Sequence, residues 1–298
     1  MSRVMATPAD FSTAFESSRG KLWRIAYRML GSPDEADDVL QDAWLRWRRA
    51  RDDAIRSPEA WLVTATTRLA IDRLRQLRAE RDRYTGPWLP EPLVDGDAPS
   101  ADQSAELASD LSVALLAVLE RLAPEERAAL LLREVFDTEY RDVAAILGKS
   151  EAACRQLVSR ATRRIRERRP RARVSAAAKR RLLEALARAI QAHDKDALLA
   201  LLAEDATWTS DGGGKARAAR KVIRGGARVA RFGAGVFRKV IARGRTEFRP
   251  VTVNGEPGYA VCFEGRLFSV MAINTDGRRI LDVYSVMNPE KLRRVRIS

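Results

Sequence analysis

The sequence predicts a multidomain chain in which two all-α domains precede an α+β domain, and three features carry that reading. Residues from about Asp10 to Arg83 hold three amphipathic helix patterns with polar breaks between them. Residues Tyr140 to Arg166 hold two more, separated by Gly148-Lys149. Beyond Phe248, four strand-like runs alternate with Asn254-Gly255, Glu264-Gly265 and Asp276-Gly277, which are strong hairpin signals. Helices first and an antiparallel meander last imply helical domains followed by an α+β domain with a curved sheet.

In the first domain, Leu22, Ile25, Ala26, Met29 and Leu30 form a helical stripe that Gly31 ends. Ser32-Pro33-Asp34-Glu35 then reads as a new N-terminus, with a cap, a proline and acids in the first turn. Ala36, Leu40, Ala43 and Trp47 share the inner face of that helix, leaving Asp37, Asp38, Gln41 and Asp42 as an acidic patch outside it. After a polar loop, Ser57-Pro58-Glu59 opens a third helix in the same manner. It carries Trp61, Leu62, Ala65, Leu69 and Leu74 inward, with Arg68, Arg75 and Arg78 on an outer side. Of the six tryptophans, Trp23 and Trp47 sit at helical spacing among apolar neighbours and read as core.

Residues 84–105 form a linker holding four of the twelve prolines, and its run Trp88-Leu89-Pro90-Glu91-Pro92 is apolar enough to dock on a surface. A helix over Ala105–Glu120 and another from Pro124-Glu125-Glu126 lie beneath the helix pair at 140–166. In that pair Ser150 caps the second helix, Cys154, Val158, Ala161 and Ile165 recur at spacings of four, three and four, and Arg155, Gln156, Ser159, Arg160 and Arg163 face out. Arginine can bond guanine bidentately and glutamine adenine, so this outer face suits the major groove; a solvated helical hairpin is the bland alternative. Ten Lys/Arg against two Glu between Lys149 and Arg173 favour phosphate.

The totals bound the class. A chain of 298 residues with 46% hydrophobic and 32% charged residues is globular, with room for two or three small domains. It lacks a bilayer-length apolar run and a secretory leader, which leads to the expectation of a cytoplasmic protein without membrane contact. Cys154 and Cys262 have no metal-ligand spacing, and neither a metal nor a cofactor is expected. Net charge is +14, but residues 1–173 carry only +2 of it, whereas the last 125 carry 24 basic against 12 acidic residues.

The segments LGSPDEADDVLQDAWLRWRRA and SPEAWLVTATTRLAIDRLR resemble region 2 of extracytoplasmic-function sigma factors, and Tyr140–Arg166 resembles their region 4. The resemblance implies that Asp37, Asp38, Gln41, Asp42 and Trp44 dock on the polymerase clamp, while region 4 sits near the flap. It implies further that the loop from Arg51 to Ser57, including Arg56, with Arg68, Asp72, Arg75 and Arg78, meets the minus-ten element, and that Arg155, Gln156, Ser159, Arg160 and Arg163 meet minus-35. Melted strand held by stacking and a basic groove fits that assignment.

The tail is similar in element order to the SnoaL-like branch of the NTF2 cone fold. Together, the WLPEP run, Asp211-Gly212-Gly213-Gly214-Lys215 and Asn288-Pro289-Glu290-Lys291-Leu292 resemble the sigma-J type, a sigma factor with a fused SnoaL-like domain. The implied organisation is region 2 at 8–83, the linker at 84–105, region 4 at 106–173 and the SnoaL-like domain at 175–298. The implied partners are core RNA polymerase and promoter DNA, with the tail regulating in cis in place of a separate anti-sigma factor and a small pocket ligand left open. Two other classes stay open: a helix-turn-helix repressor, and a DNA-binding protein whose tail binds or transforms a small molecule. DGGGK lacks the spacing of a phosphate-binding P-loop. For catalysis only His193, Asp211 and Asp282 stand out in the tail, and the expectation is a non-enzyme.

Overall fold

The computed structural model describes residues 8–50, 55, 57–94, 112–166 and 174–297. The chain forms two compact units, one of residues 1–82 with 119–167 and one of residues 83–118 with 168–298.

The first unit begins with α1 (Pro8–Leu30), α2 (Pro33–Arg49) and α3 (Pro58–Arg81). The expected stripe of α1 is buried, and Gly31 closes the helix at φ 69°, a conformation that costs glycine nothing. Pro33 and the acids Asp34 and Glu35 occupy the first turn of α2, and Ser57 Oγ accepts from Ala60 N at 3.3 Å at the start of α3. Ala36, Leu40, Ala43 and Trp47 are buried together with Val39, which holds the acidic residues of α2 outside.

Residues 105–111 of the helix expected over Ala105–Glu120 lie outside the described residues, and the helix observed there is α4 (Val113–Leu119). Next, α5 (Pro124–Leu130) passes into a π-helical turn over Leu131–Val135, followed by α6 (Tyr140–Leu147) and α7 (Glu151–Arg166). Between the last two, Gly148 is left-handed at φ 63° and Ser150 Oγ accepts from Ala153 N at 3.2 Å. Cys154, Leu157, Val158, Ala161 and Ile165 are the buried stripe of α7.

One buried charge ties this unit together. Arg127 on α5 is 0% exposed; its Nε donates to Arg28 O at 2.8 Å and its Nη1 to Glu120 at 2.5 Å. Glu120 also pairs with Arg81 at the end of α3.

In the second unit α8 (Ala176–Gln191) and α9 (Lys195–Leu201) precede a six-stranded sheet. The strands are β1 (Leu202–Asp211), β2 (Ile223–Arg224), β3 (Thr246–Val253), β4 (Glu256–Phe263), β5 (Arg266–Thr275) and β6 (Ile280–Val286), with α10 (Gly226–Ile241) between β2 and β3. Their order is β2-β1-β6-β5-β4-β3, antiparallel except for the parallel pair β1 and β6. The four expected runs became β3 to β6. Asn254 and Glu264 adopt positive φ beside their glycines, as tight hairpin turns require.

Alternation along the strands gives the sheet two buried faces. Met271 and Ile273 join Trp208, Tyr259 and Val283 beneath the helices. Val270 and Ala272 join Tyr284 and Val286 on the other face, where they meet Leu89, Val94, Val113, Leu292 and Val295. Leu89 and Val94, from the described part of the segment expected as a linker, are thus part of a domain core. Replacing the wholly buried Arg127 with alanine leaves the half-buried Glu120 carboxylate with Arg81 as its remaining partner, and chemical denaturation should show the helical unit destabilised by about 3–5 kcal/mol.

Candidate functional site

Two constellations emerge, one in each unit. In the helical unit Asp37, Asp38, Gln41 and Asp42 are all exposed on one side of α2, beside Leu45, 39% exposed. Asp37 accepts from Trp23 Nε1 at 2.8 Å, and half-buried Trp44 lies against Phe15 with ring centroids 4.9 Å apart. The patch is a negative rim with two apolar side chains at its edge.

The outer arginines of α3 are not in solvent alone. Arg68 donates from Nε to Ile146 O at 2.8 Å and from Nη2 to Ala145 O at 3.0 Å, both carbonyls on the last turn of α6. Arg75 bridges Asp72 and Glu125, each at 2.8 Å, and Lys149 reaches the same Glu125 at 3.1 Å. These cations, with the Lys149 hydrogen bond foremost, hold the Glu125 carboxyl below its usual range. Arg78 is half-buried with its guanidinium on Leu122 O, and desolvation lowers its pKa, as it does that of Arg81. Every described arginine assigned to the minus-ten element thus has a partner on or next to α5 and α6. Arg51 and Arg56 lie outside the described residues.

Arg155, Gln156, Ser159, Arg160 and Arg163 all project from the exposed side of α7. Arg155 stacks on the Tyr140 ring at 4.8 Å and pairs with Glu151 at 2.8 Å, which sets its direction without burying it. Arg160 lies 3.9 Å from Glu126.

The second constellation is built on Asp211, the last residue of β1. Its side chain is completely buried and accepts three hydrogen bonds: Tyr84 Oη at 2.5 Å, Leu89 N at 2.8 Å and Lys291 Nζ at 2.7 Å. Its carbonyl accepts from Met287 N and Asn288 N at 2.7 and 2.9 Å. Lys291 also donates to Leu89 O at 2.5 Å and lies 3.9 Å over the Trp88 ring. Asn288 Nδ2 donates to the Tyr84 hydroxyl at 2.9 Å, and Glu290 pairs with Lys215 at the surface.

The three sequence motifs therefore meet at one point. Trp88 and Leu89 come from the linker, Asp211 to Lys215 from the end of β1, and Asn288 to Leu292 from the tail. The glycines are there for clearance: a Cβ on Gly212 would lie 2.5 Å from Ala216 O, and one on Gly213, at φ 58°, would collide with the Asn288 amide. Pro90 and Pro92 are buried, Glu91 half-buried and Pro289 exposed. Farther along the linker Asn254 N donates to Leu93 O at 2.7 Å and Leu93 N to Asn254 Oδ1 at 3.1 Å, and Val94 bridges to Val253.

Tyr84 and Asn254 were not identified from the sequence. A tyrosine before Thr-Gly and an asparagine in a hairpin turn carry no signal of a distant partner. Of the other carboxylates, Asp282 is engaged by Thr207 at 2.5 Å and Asn274 at 2.9 Å, and His193 is exposed at φ 55° before the Asp194 cap of α9. DGGGK is a turn whose lysine pairs with Glu290. No group of three or more His, Cys, Asp or Glu side chains among the described residues is placed to hold a metal, and no described helix is long and apolar enough to cross a membrane.

Two outcomes are expected from this node. Lys291→Met leaves the buried Asp211 without its cation and should cost the sheet unit about 3–5 kcal/mol in denaturant titrations. Burial, then the hydrogen bond to Asp211, raises the Tyr84 pKa above its ordinary value of 10. The stability this contributes is complete below that ordinary value and is lost as pH rises through the raised one. The alkaline decline in melting temperature should therefore be shallower in Tyr84→Phe than in the parent.

Comparison with known proteins matches this architecture. Residues 14–80 match the family Sigma-70 region 2, residues 112–165 match Sigma-70, region 4, and residues 183–288 match the SnoaL-like domain. The chain is 37% identical over 288 residues to the ECF RNA polymerase sigma factor SigJ of Mycobacterium tuberculosis, covering 93% of this chain and 91% of the relative. It is 31% identical to the probable ECF RNA polymerase sigma factor SigI of the same organism, covering 94% of each. The crystal structure of M. tuberculosis SigJ superposes with a TM-score of 0.76 at 33% identity, covering 96% of this chain and all of that one. With both helical modules in order, the SnoaL-like sheet behind them and relatives alike over nearly their full length, the chain belongs to the extracytoplasmic-function RNA polymerase sigma factors.

Proposed function

We propose that this sigma factor directs core RNA polymerase to its promoters through regions 2 and 4, and that its SnoaL-like domain controls in cis how far those regions can separate. The acidic side of α2, with Trp44 at its edge, docks on the polymerase clamp. The loop before α3 and the arginines of α3 hold the minus-ten element, and the exposed side of α7 reads minus-35.

The observation that carries the regulatory part is the double use of the α3 arginines. Arg68, Arg75 and Arg78 cannot hold phosphates while they hold the carbonyls of Ala145, Ile146 and Leu122 and the carboxylate of Glu125. Promoter binding requires these bonds to be exchanged, so the clasped form is a resting form. The linker joining region 2 to region 4 is held by the sheet at Tyr84–Val94 and again at Val113. Releasing it from Asp211 and Lys291 lengthens the free span between the two DNA-binding regions. That anchorage supports control in cis in place of a separate anti-sigma protein.

Reconstituted transcription with core polymerase tests both parts. The full-length protein should initiate from promoters selected out of a random library, and Asp38→Ala with Asp42→Ala should abolish initiation. Sequence-specific DNA binding without polymerase recruitment would instead identify a repressor. A chain ending before Asn288 loses Lys291 and should change initiation several-fold; identical activity in both chains would remove the tail from regulation. Glu125→Ala frees Arg75 and Lys149 from one half-buried carboxylate, and promoter affinity in fluorescence anisotropy should rise about twofold to fivefold.

A further inference from the structure

Between Asp211 and Glu247 the chain carries eleven Lys and Arg residues and not one Asp or Glu. Of these, Lys215 pairs with Glu290 and Arg245 with Glu247; the others have no carboxylate partner among the described residues. Such a run is self-repelling, and folding has placed part of it on one side of one helix. On α10, Arg228, Arg231, Arg238 and Lys239 are all exposed, while Val229, Ala230, Gly233 and Phe237 are buried. At 100° per residue the four cations fall within about 100° of arc, opposite the buried stripe. Gly235 lies in the middle of that arc, where even a Cβ would meet open space.

The arc runs into a cleft of about 550 Å³ at the start of α10, where Arg228 is joined by Arg224 of β2 and Arg279 from the turn before β6, with Glu204 the one acid among the lining residues. Leu199, Leu202 and Ala203 form its apolar side.

We propose that this face of the SnoaL-like domain is a sequence-independent binding surface for the backbone of duplex DNA, separate from regions 2 and 4. From Arg228 to Lys239 the helix rises about 16 Å, the length over which one strand of B-DNA presents about five phosphates. Guanidinium groups dominate the face, and their planar fork matches phosphate oxygens. An acidic protein partner is the weaker fit. Protein interfaces have a desolvated apolar or aromatic centre, whereas the centre of this arc is Gly235 between cations, and the exposed Leu199 lies off it in the cleft. The open glycine lets a polyanion approach the helix backbone. The surface would add affinity for DNA without adding base preference.

The proposal does not rest on the promoter assignments of α3 and α7, and the test separates the two. Binding of the full-length protein to a fluorescent promoter duplex and to a scrambled duplex is measured across a salt series. The parent is compared with a quadruple variant, Arg228→Gln, Arg231→Gln, Arg238→Gln and Lys239→Gln, and with a region 4 variant, Arg155→Gln with Arg160→Gln. Loss of four phosphate contacts should make the slope of log affinity against log salt shallower by about 3 to 4, and should lower affinity for both duplexes by the same factor, at least tenfold at low salt. The region 4 variant should lose the preference for promoter over scrambled duplex and keep the α10 contribution. If the quadruple variant is misfolded by circular dichroism, Arg228→Gln with Lys239→Gln should still reduce the slope by about 2. Unchanged slope and affinity in a folded variant overturn the proposal. So does a variant that binds both duplexes normally and loses affinity for core polymerase. Failure of the parent to initiate with core polymerase, with the α10 slope effect intact, would refute the promoter reading and leave this surface standing.

Discussion

The sheet unit depends on one buried ion pair, Asp211 with Lys291. A fully buried carboxylate is tolerable only when its charge is matched and its lone pairs are filled, and here a lysine, a phenol and a backbone amide fill them. The groups come from segments far apart in the chain. The parallel pairing of β1 with β6 brings them together, because it sets the end of β1 beside the start of the tail. A pair of this kind adds little net stability over an apolar substitute, but it penalises every arrangement that leaves one member behind. Here the pair also holds Leu89 of the linker, through its backbone N–H and carbonyl.

The helical unit uses arginine in a related way. A guanidinium offers five donors in a rigid fork and keeps its charge even when half-buried, so one side chain can satisfy carbonyls and carboxylates in one state and phosphates in another. Arg68 and Arg78 occupy backbone carbonyls at or beyond helix ends, acceptors that water could equally satisfy once the arginines leave. Arg127 differs, because it is wholly buried and paired with Glu120, and it belongs to the core of the helical unit.

Charge in the sheet unit is organised differently again. Its positive excess is concentrated in the stretch between β1 and β3, whose amphipathic α10 needs a polar outer side but not one free of acids. Surface helices ordinarily intersperse both signs, and here no carboxylate among the described residues pairs with the cations of α10.

Much of this protein was legible in its sequence. The helices of region 2, the Gly148 turn and the β3–β6 meander follow from local rules, since a proline in a first turn, a glycine at positive φ and alternating apolar residues act over a few neighbours, although Ser32 makes no side-chain cap bond at the start of α2. The three motifs were visible as motifs for the same reason: their glycines, prolines and charges break the surrounding pattern. What they do to one another was not visible. That Asp211 is buried, that Tyr84 and Asn288 complete its shell, that Asn254 holds Leu93 and that Arg68 holds the end of α6 are facts about partners dozens to hundreds of residues distant. No local periodicity encodes them. Sequence alone determined the helices of the two sigma regions, the hairpin turns and the strands of the meander, and that their order is that of a sigma factor; only the tertiary structure decided which polar groups are taken, because pairing over such separations depends on where the packed sheet and helices carry each end.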